Sequence, residues 1–169
     1  EVKKMSVAVV MAVYNGEKYL RKQLDSIMEQ TFGDFKLYIC DDFSEDKSRD
    51  IIEEYAKKYP QKIVFFKNAR NSGSAGANFF RLLKKTTEDI IFFSDQDDIW
   101  KRNKIQTMLG YFEGETSPLL VHSDLAIIDE NDRITDKSMI KRQKINIKRT
   151  APNYLLAQNV VTGCSCAIN

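Results

Sequence analysis

Acidic side chains are concentrated in two short segments, and each segment follows a run of apolar residues. Asp41-Asp42 comes directly after Phe35–Cys40, and Asp95-Gln96-Asp97-Asp98 comes shortly after Ile90–Phe93. Carboxylates that lie together raise one another's pKa unless a cation is present. Oxygen ligands with coordination positions left open suit Mn²⁺ or Mg²⁺ holding a diphosphate. The single histidine, His122, excludes a site built from several histidines, so chemistry of this kind must rest on carboxylates.

Helix capping is the alternative explanation for these carboxylates. Asp97 or Asp98 could accept hydrogen bonds from the first turn of a helix that starts near Lys101. Asp42 could likewise cap the helix that follows Ser44. Because an Asp-x-Asp sequence is common by chance, the pattern alone leaves capping and metal binding both open.

The segment His122-Ser123-Asp124 contains the residue types of a hydrolytic triad, but its spacing excludes one. On a strand, His122 and Asp124 share one face while Ser123 points to the other. We therefore interpret the segment as a strand near the acceptor side of a site and leave its role open.

Short apolar strands alternate with amphipathic helices through the first hundred residues. The stripe Leu20, Leu24, Ile27 and Met28, for example, predicts a helix after the first strand. This alternation is typical of βαβ units with a mainly parallel sheet. Since the crossovers are right-handed, the loops after the strands meet at one sheet edge, where α/β proteins bind ligands. The predicted strands are Val7–Val13, Phe35–Cys40, Ile63–Phe66 and Ile90–Phe93, and the loops at that edge are Tyr14–Glu17, Asp41–Asp46 and Asp95–Asp98.

The pattern is less regular after residue 100. Cys164 and Cys166 would share a face of the last predicted strand, and with Cys40 they are expected to be small hydrophobic side chains in a reducing compartment. The predicted elements are a helix over about Arg102–Phe112, a strand over Leu119–Ile128 with a turn at Asp129–Asp132, a short helix near Tyr154–Gln158 and a final strand over Val160–Ile168.

The net charge of +2 conceals an uneven distribution. Residues 137–169 include six basic residues and no acidic one, which leaves residues 1–136 with a net charge of −4. The basic segment is either a solvated loop or a surface that meets a phosphate-bearing ligand or an anionic membrane. A nucleic-acid partner is not favoured, because the remainder is acidic and no recognised module occurs. The longest apolar run, Val7–Val13, is too short to span a bilayer, and no secretory signal is expected.

Four motifs in a fixed order resemble those of the inverting family 2 glycosyltransferases with a GT-A fold, in particular rhamnosyltransferase-like bacterial enzymes that build surface polysaccharides. The resemblance implies an α/β, Rossmann-like domain with a mainly parallel central sheet flanked by helices. It also implies one domain over residues 1–169, with a nucleotide-donor half at 1–100 and the start of an acceptor half at 101–169 that is truncated at its C-terminus. The motifs are Val13-Tyr14-Asn15-Gly16-Glu17, Asp41-Asp42-Phe43-Ser44, Asn71-Ser72-Gly73-Ser74-Ala75-Gly76-Ala77-Asn78 and Ser94-Asp95-Gln96-Asp97-Asp98-Ile99-Trp100.

The resemblance further implies which residues bind the nucleotide-sugar. Tyr14 should lie against the pyrimidine ring and Glu17 near the nucleoside. Asp42 should accept the N3–H of uracil or thymine, a hydrogen that cytosine lacks. A packing role for Tyr14 and a capping role for Asp42 remain the alternatives. The complete predicted set is Ala12, Tyr14, Glu17, Asp42, Asn71, Gly73, Asn78, Asp95 and Gln96.

The metal site implied by the resemblance holds Mn²⁺ or Mg²⁺. Asp97 is the expected metal ligand, and Asp95 is a second ligand that also reaches the donor ribose or sugar. Asp98 and Trp100 are expected to shape the donor-sugar pocket, although Trp100 also fits a core position.

The implied reaction moves a sugar from a UDP- or dTDP-sugar to a hydroxyl of a glycan or lipid-linked acceptor, with inversion in a single displacement. The general base is expected beyond Asn169. We expect the protein in the cytoplasm, with peripheral association at the inner face of the membrane left open. Two other classes also remain open: a non-catalytic nucleotide-sugar-binding domain, and a sugar-1-phosphate nucleotidyltransferase. The second would require a glycine-rich, arginine-bearing loop that Tyr14–Glu17 does not supply.

Overall fold

The computed structural model describes residues 5–148 and 160–169. Helices and strands alternate in order over the first hundred residues, which confirms the predicted α/β class. The strands are β1 (Val7–Val13), β2 (Lys36–Asp41), β3 (Ile63–Lys67), β4 (Ile90–Ser94), β5 (Leu120–His122), β6 (Ile127–Ile128), β7 (Ile134–Asp136) and β8 (Cys166–Ile168). The helices are α1 (Glu17–Met28), α2 (Ser48–Lys58), α3 (Ala75–Leu83), α4 (Lys104–Leu109) and α5 (Met139–Arg142).

The central sheet has six strands in the order β3-β2-β1-β4-β8-β5. Strands β1 to β4 are parallel, so the sheet is mainly parallel as predicted. Strand β1 lies in the middle of this group, and its residues are buried on both faces, as its unbroken apolar sequence requires. The strand order reverses beside β1, which places a ligand crevice at the carboxyl ends of β1 and β4.

Two hydrophobic layers cover the sheet. On one face, alternate β1 residues such as Val9 and Met11 pack with α1, α2 and α4 in a single core. On the other face, Val10 and Cys40 pack with Leu82 of α3. Trp100 is 5% exposed and belongs to the larger core, so its predicted part in the donor-sugar pocket is wrong and the core interpretation holds.

Strand β8 returns to the sheet antiparallel to both β4 and β5, so residues near the C-terminus complete the sheet that carries the crevice. The predicted strand over Val160–Ile168 is too long, because Gly163–Ser165 form a 3₁₀ turn before the strand starts. Cys164 therefore lies in the turn and only Cys166 on the strand.

Three further predictions concern residues 101–159. The predicted strand Leu119–Ile128 is two strands, because β5 ends at His122 and β6 pairs with β7 in a separate hairpin. The helix expected over Arg102–Phe112 is only α4, and Phe112 follows it as a buried side chain. The helix expected near Tyr154–Gln158 lies outside the described residues. In the described ranges, the helices are all too short or too polar to cross a membrane.

Candidate functional site

A cavity of about 450 Å³ opens at the carboxyl ends of β1, β2 and β4. It has the position that a parallel α/β sheet gives to a ligand site. Nine of the ten residues predicted to bind donor or metal line it, and Glu17 is the exception. The lining is Ala12, Val13, Tyr14, Asp42, Asn71, Gly73, Ser74, Ala75, Asn78, Asp95, Gln96 and Asp97.

The Gln96 side chain joins the loops after β1 and β4. Its Oε1 accepts from the Tyr14 backbone N–H at 2.8 Å, and its Nε2 donates to the Tyr14 carbonyl at 3.0 Å. A Cβ on Gly16 would lie 2.6 Å from Gln96 Oε1, so only glycine leaves room for this contact. Because the amide is engaged at both ends, Gln96 lines the cavity as the residue that positions Tyr14.

Glu17 faces the loop after β2. Its Oε2 accepts from the Lys47 backbone N–H at 2.7 Å, while Asp46 Oδ2 accepts from the Glu17 N–H at 2.9 Å. This reciprocal pair locks the loops after β1 and β2 together. Burial alone would raise the pKa of Asp46. The hydrogen bonds that it accepts from Ser48 and from the Glu17 N–H outweigh burial and hold that pKa below its usual value.

Asp42 is buried and its carboxylate is already well supported. Oδ1 accepts from Asn68 Nδ2 at 2.5 Å and from the Ser72 N–H at 2.9 Å, and Oδ2 accepts from Ser72 Oγ at 2.7 Å. A carboxylate has about four acceptor positions, so one remains on Oδ2. These partners lie outside α2, and α2 begins after Lys47 with no side-chain cap, so the capping alternative for Asp42 is wrong.

The segment from Asn71 to Asn78 crosses the floor of the cavity. Asn71 donates to the Asp42 carbonyl and accepts from the Gly73 N–H, and Gly73 has a φ of +81°, which favours glycine. Asn78 is 1% exposed and donates to the Cys40 carbonyl at 2.9 Å. Its Oδ1 has no hydrogen-bond partner among the described residues. A buried, unpaired acceptor is costly, so this atom marks a place for a ligand donor.

The aspartates after β4 form an acidic cluster with one thiol. Ligand atoms of Asp95, Asp98 and Cys164 all lie within 4.8 Å of one another. Asp97 is exposed and lies outside this group, although it lines the cavity. Burial raises the pKa of Asp95, and the neighbouring Asp98 and Asp97 raise it further. Burial and Asp98 also raise the pKa of Asp97.

Two observations indicate that these residues fit a divalent cation. Asp98 Oδ2 is buried and has no hydrogen-bond partner within residues 5–148 and 160–169. The aspartates also carry mutually repelling charges at one sheet edge, and a hard cation with oxygen ligands relieves that repulsion. The structure thus adds Asp98 to the predicted pair of ligands, Asp95 and Asp97.

A partly buried ammonium, that of Lys104, lies close enough to this cluster to interact with its charges. Lys104 Nζ donates to the Cys164 carbonyl at 2.6 Å and lies 4.1 Å from the centre of the Trp100 ring. Burial lowers the pKa of Lys104 to about 8, although the charges of Cys164, Asp98 and Asp95 oppose that shift. Lys104 therefore ties the turn before β8 to the aspartate loop.

Sequence reasoning missed Ser74, Lys104 and Cys164. Ser74 carried a detectable signal, because it caps α3 by accepting from the Ala77 N–H and so places the start of that helix at the cavity. Lys104 and Cys164 are 60 residues apart and meet only because β8 pairs with β4, so local sequence gives no sign of their contact.

Comparisons with known proteins agree with this geometry. The glycosyl transferase family 2 model matches residues 8–169. The dTDP-rhamnosyl transferase RfbG of Shigella flexneri is 43% identical over 102 residues, which cover 59% of this chain and 35% of that protein. Among solved structures, S. aureus TarS 1–349 in complex with UDP is 27% identical with a TM-score of 0.59, covering 64% of this chain and 32% of that one. The mannosyltransferase PcManGT of Pyrobaculum calidifontis, solved with GDP-Man and Mn²⁺, is 18% identical with a TM-score of 0.63, covering 76% of this chain and 37% of that one.

The fold is that of the GT-A glycosyltransferases, as the likeness to TarS and PcManGT shows. The chain belongs to glycosyl transferase family 2. Its relatives include bacterial enzymes of surface polysaccharide synthesis, and the chain spans about a third of the length of RfbG.

Proposed function

We propose that this chain binds a UDP- or dTDP-sugar and supports transfer of the sugar to a hydroxyl of a bacterial surface glycan or lipid-linked acceptor, with inversion at the anomeric carbon. The observation that carries the proposal is the unpaired acceptor in the cavity. Asn78 Oδ1 is buried without a donor in the described chain, beside a carboxylate, Asp42, that has one acceptor position left. A uracil or thymine supplies an N3–H donor, and its ribose supplies hydroxyl donors.

The base-recognition step rests on Asp42. Its contacts with Asn68 and Ser72 hold the carboxylate in one orientation, so little freedom is lost when a nucleotide binds. The remaining lone pair of Oδ2 would accept the imide N–H. Cytosine offers no such hydrogen, and guanine carries its ring N–H farther from the sugar than uracil and thymine do.

Asp95, Asp97 and Asp98 would hold Mn²⁺ or Mg²⁺ against the diphosphate. When bound, the cation neutralises charge that develops on the leaving nucleoside diphosphate. Lys104 holds the turn before β8 through the Cys164 carbonyl, and the charges of Asp95 and Asp98 act on its ammonium, which places a positive group near these carboxylates.

In the proposed reaction, the acceptor oxygen forms a bond to the anomeric carbon from the face opposite the diphosphate. The bond between the anomeric carbon and the diphosphate oxygen breaks at the same time, and its electron pair leaves with the nucleoside diphosphate. The hydroxyl proton passes to a carboxylate base. Asp124 and Asp129 do not suit that task, because their carboxylates already accept backbone N–H groups of α5 and of the β6–β7 turn.

We also propose that residues 1–100 supply most of the donor half and that residues 101–169 begin the acceptor half, at the cytoplasmic face of the membrane. The basic residues Lys137, Lys141, Arg142 and Lys144 support this location, because all four are exposed around α5. Anionic lipid headgroups attract such a cluster by roughly 1 kcal/mol per charge.

Calorimetry with four nucleotides tests the proposal. In Mn²⁺, UDP and dTDP should bind at least about tenfold more tightly than CDP and GDP, because cytosine lacks the N3–H donor and guanine presents its ring N–H at a different distance from the sugar. EDTA should weaken the binding of UDP and dTDP. Equal affinity for CDP, or no binding of any of the four, would contradict the proposal. Metal-dependent hydrolysis of a UDP- or dTDP-sugar then separates an enzyme from a binding module.

A further inference from the structure

A second cavity, of about 230 Å³, adjoins the donor cavity. Asp97 lines both cavities, so a group in the second cavity lies beside the loop that would hold the diphosphate. Helix α1, the segment after β4 and the β6–β7 turn form its walls. Its lining is Tyr19, Lys22, Asp97, Asp98, Ile99, Ile128, Asp129, Glu130 and Asp132.

The charge of this cavity is strongly negative. Five of its nine lining residues are acidic and one is basic. That base, Lys22, is already paired with Asp132 at 2.7 Å. Asp97 and Asp98 are the proposed metal ligands, which leaves Asp129, Glu130 and Asp132 as the acidic residues that line the rest of this cavity. A ligand here must therefore donate hydrogen bonds, and a phosphate or carboxylate would meet uncompensated repulsion.

The uncharged part of the lining suits a sugar ring. Tyr19, Ile99 and Ile128 are 36%, 44% and 36% exposed, so each offers apolar surface without being needed in the core. The C–H face of a pyranose packs on such surface while its hydroxyls donate to the surrounding carboxylates. The volume is below the roughly 300 Å³ at which drug-sized pockets begin, which leaves room for about one ring.

From these observations we propose that the second cavity is the acceptor subsite, and that it takes an uncharged sugar residue bearing the attacked hydroxyl. An acceptor unit with a phosphate beside that hydroxyl is rejected. This inference rests on the proposed function, because it assigns the acceptor of the same transfer. Tyr19 and Glu130 are the specificity-determining residues: the first packs against the ring, and the second repels anionic units at the mouth of the cavity.

Saturation-transfer NMR with glucose and glucose 6-phosphate tests the charge selection. The chain is first saturated with UDP and Mn²⁺, so that neither probe can occupy the diphosphate position. Glucose should give signals and glucose 6-phosphate should not. Glu130→Lys should shift the preference toward glucose 6-phosphate by about tenfold, since one repulsive charge becomes attractive. Glu113→Lys makes the same charge change at an exposed residue outside both cavities and should leave the preference unaltered.

Tyr19→Ala provides the second measurement, because it removes the packing surface without altering charge. It should abolish the glucose signals while UDP affinity stays within about twofold of the parent. Equal binding of the two probes, absence of glucose signals in the parent, or a parental response from both Glu130→Lys and Tyr19→Ala would overturn the inference. Absence of UDP binding would instead overturn the proposed function, so the two failures are distinguishable.

Discussion

The contact between Gly16 and Gln96 predicts an energetic coupling between two loops that are 80 residues apart. Gln96→Ala removes the two hydrogen bonds to the Tyr14 backbone and leaves that N–H and carbonyl without their partner. At about 1 kcal/mol for each bond, the variant should lose roughly 1–3 kcal/mol of unfolding free energy. Gly16→Ala should cost a similar amount, because a Cβ 2.6 Å from Gln96 Oε1 displaces the same amide.

The double variant separates this mechanism from two independent defects. Once Gln96 is alanine, the atoms that a Gly16 Cβ would meet are gone, so Gly16→Ala should cost almost nothing in that background. The double-variant cycle should therefore give a coupling of about 1–3 kcal/mol. Urea unfolding of the parent, the two single variants and the double variant measures it.

A matched glycine serves as the control for backbone effects. Gly76 lies in α3, and a Cβ there would meet nothing within 4 Å. Gly76→Ala should be neutral or stabilising by up to about 1 kcal/mol. If Gly16→Ala and Gln96→Ala proved additive within about 0.5 kcal/mol, the two residues would not share one contact and the reasoning would be refuted.

Three further predictions concern the carboxylates and Lys104. Asp98→Asn should weaken Mn²⁺-dependent UDP binding in calorimetry at least as much as Asp97→Asn, because Asp98 lies in the cluster with Asp95 and its Oδ2 is buried without a partner in the described chain. An unchanged affinity would remove Asp98 from the metal site. Asp42→Ala should lower UDP affinity and also cost about 2–4 kcal/mol of unfolding free energy, since three hydrogen bonds to a buried carboxylate are lost. If urea unfolding gave the variant the same stability as the parent, those bonds would contribute little. Burial lowers the pKa of Lys104 from 10.5 to about 8, so between these pH values the unfolded chain binds one more proton than the folded chain. As pH rises across that window, the parent should therefore gain up to about 3 kcal/mol of unfolding free energy relative to Lys104→Met. Parallel stability–pH curves from urea unfolding would contradict this.

The sequence predicted which residues line the first cavity because those residues lie at strand ends. Tyr14, Asp42 and Asp95 each follow an apolar run, and parallel topology alone brings such positions to one edge. Local sequence could not show which hydrogen-bond partners a side chain finds at that sheet edge. Glu17 has the right position along the chain, but its hydrogen bonds with Asp46 and the Lys47 N–H join it to the loop after β2.

The C-terminal third was predicted less well, because its contacts are distant in sequence. The run Val160–Ile168 is rich in apolar and β-branched residues, which favours one long strand, but only Cys166–Ile168 pairs as a strand, with β4 and β5. Asp124 was assigned to a strand face, whereas it follows the strand and accepts from Ser138 and the Ile140 N–H, so that it caps α5. Periodicity cannot reveal such pairings, since they depend on which edge of the sheet is still open.

The position of β8 has a consequence for the order in which the protein folds during synthesis. Strand β4 is complete at Ser94, but the strand that covers its outer edge begins only at Cys166. At roughly 5–20 residues per second, a ribosome needs roughly 4–14 s to make the intervening segment. During that interval the outer edge of β4 in the nascent chain is unpaired. Lys104 likewise lacks its acceptor, the Cys164 carbonyl, until that residue has been made. The outer edge of β4 is therefore open to aggregation and to capture by chaperones until β8 has been made.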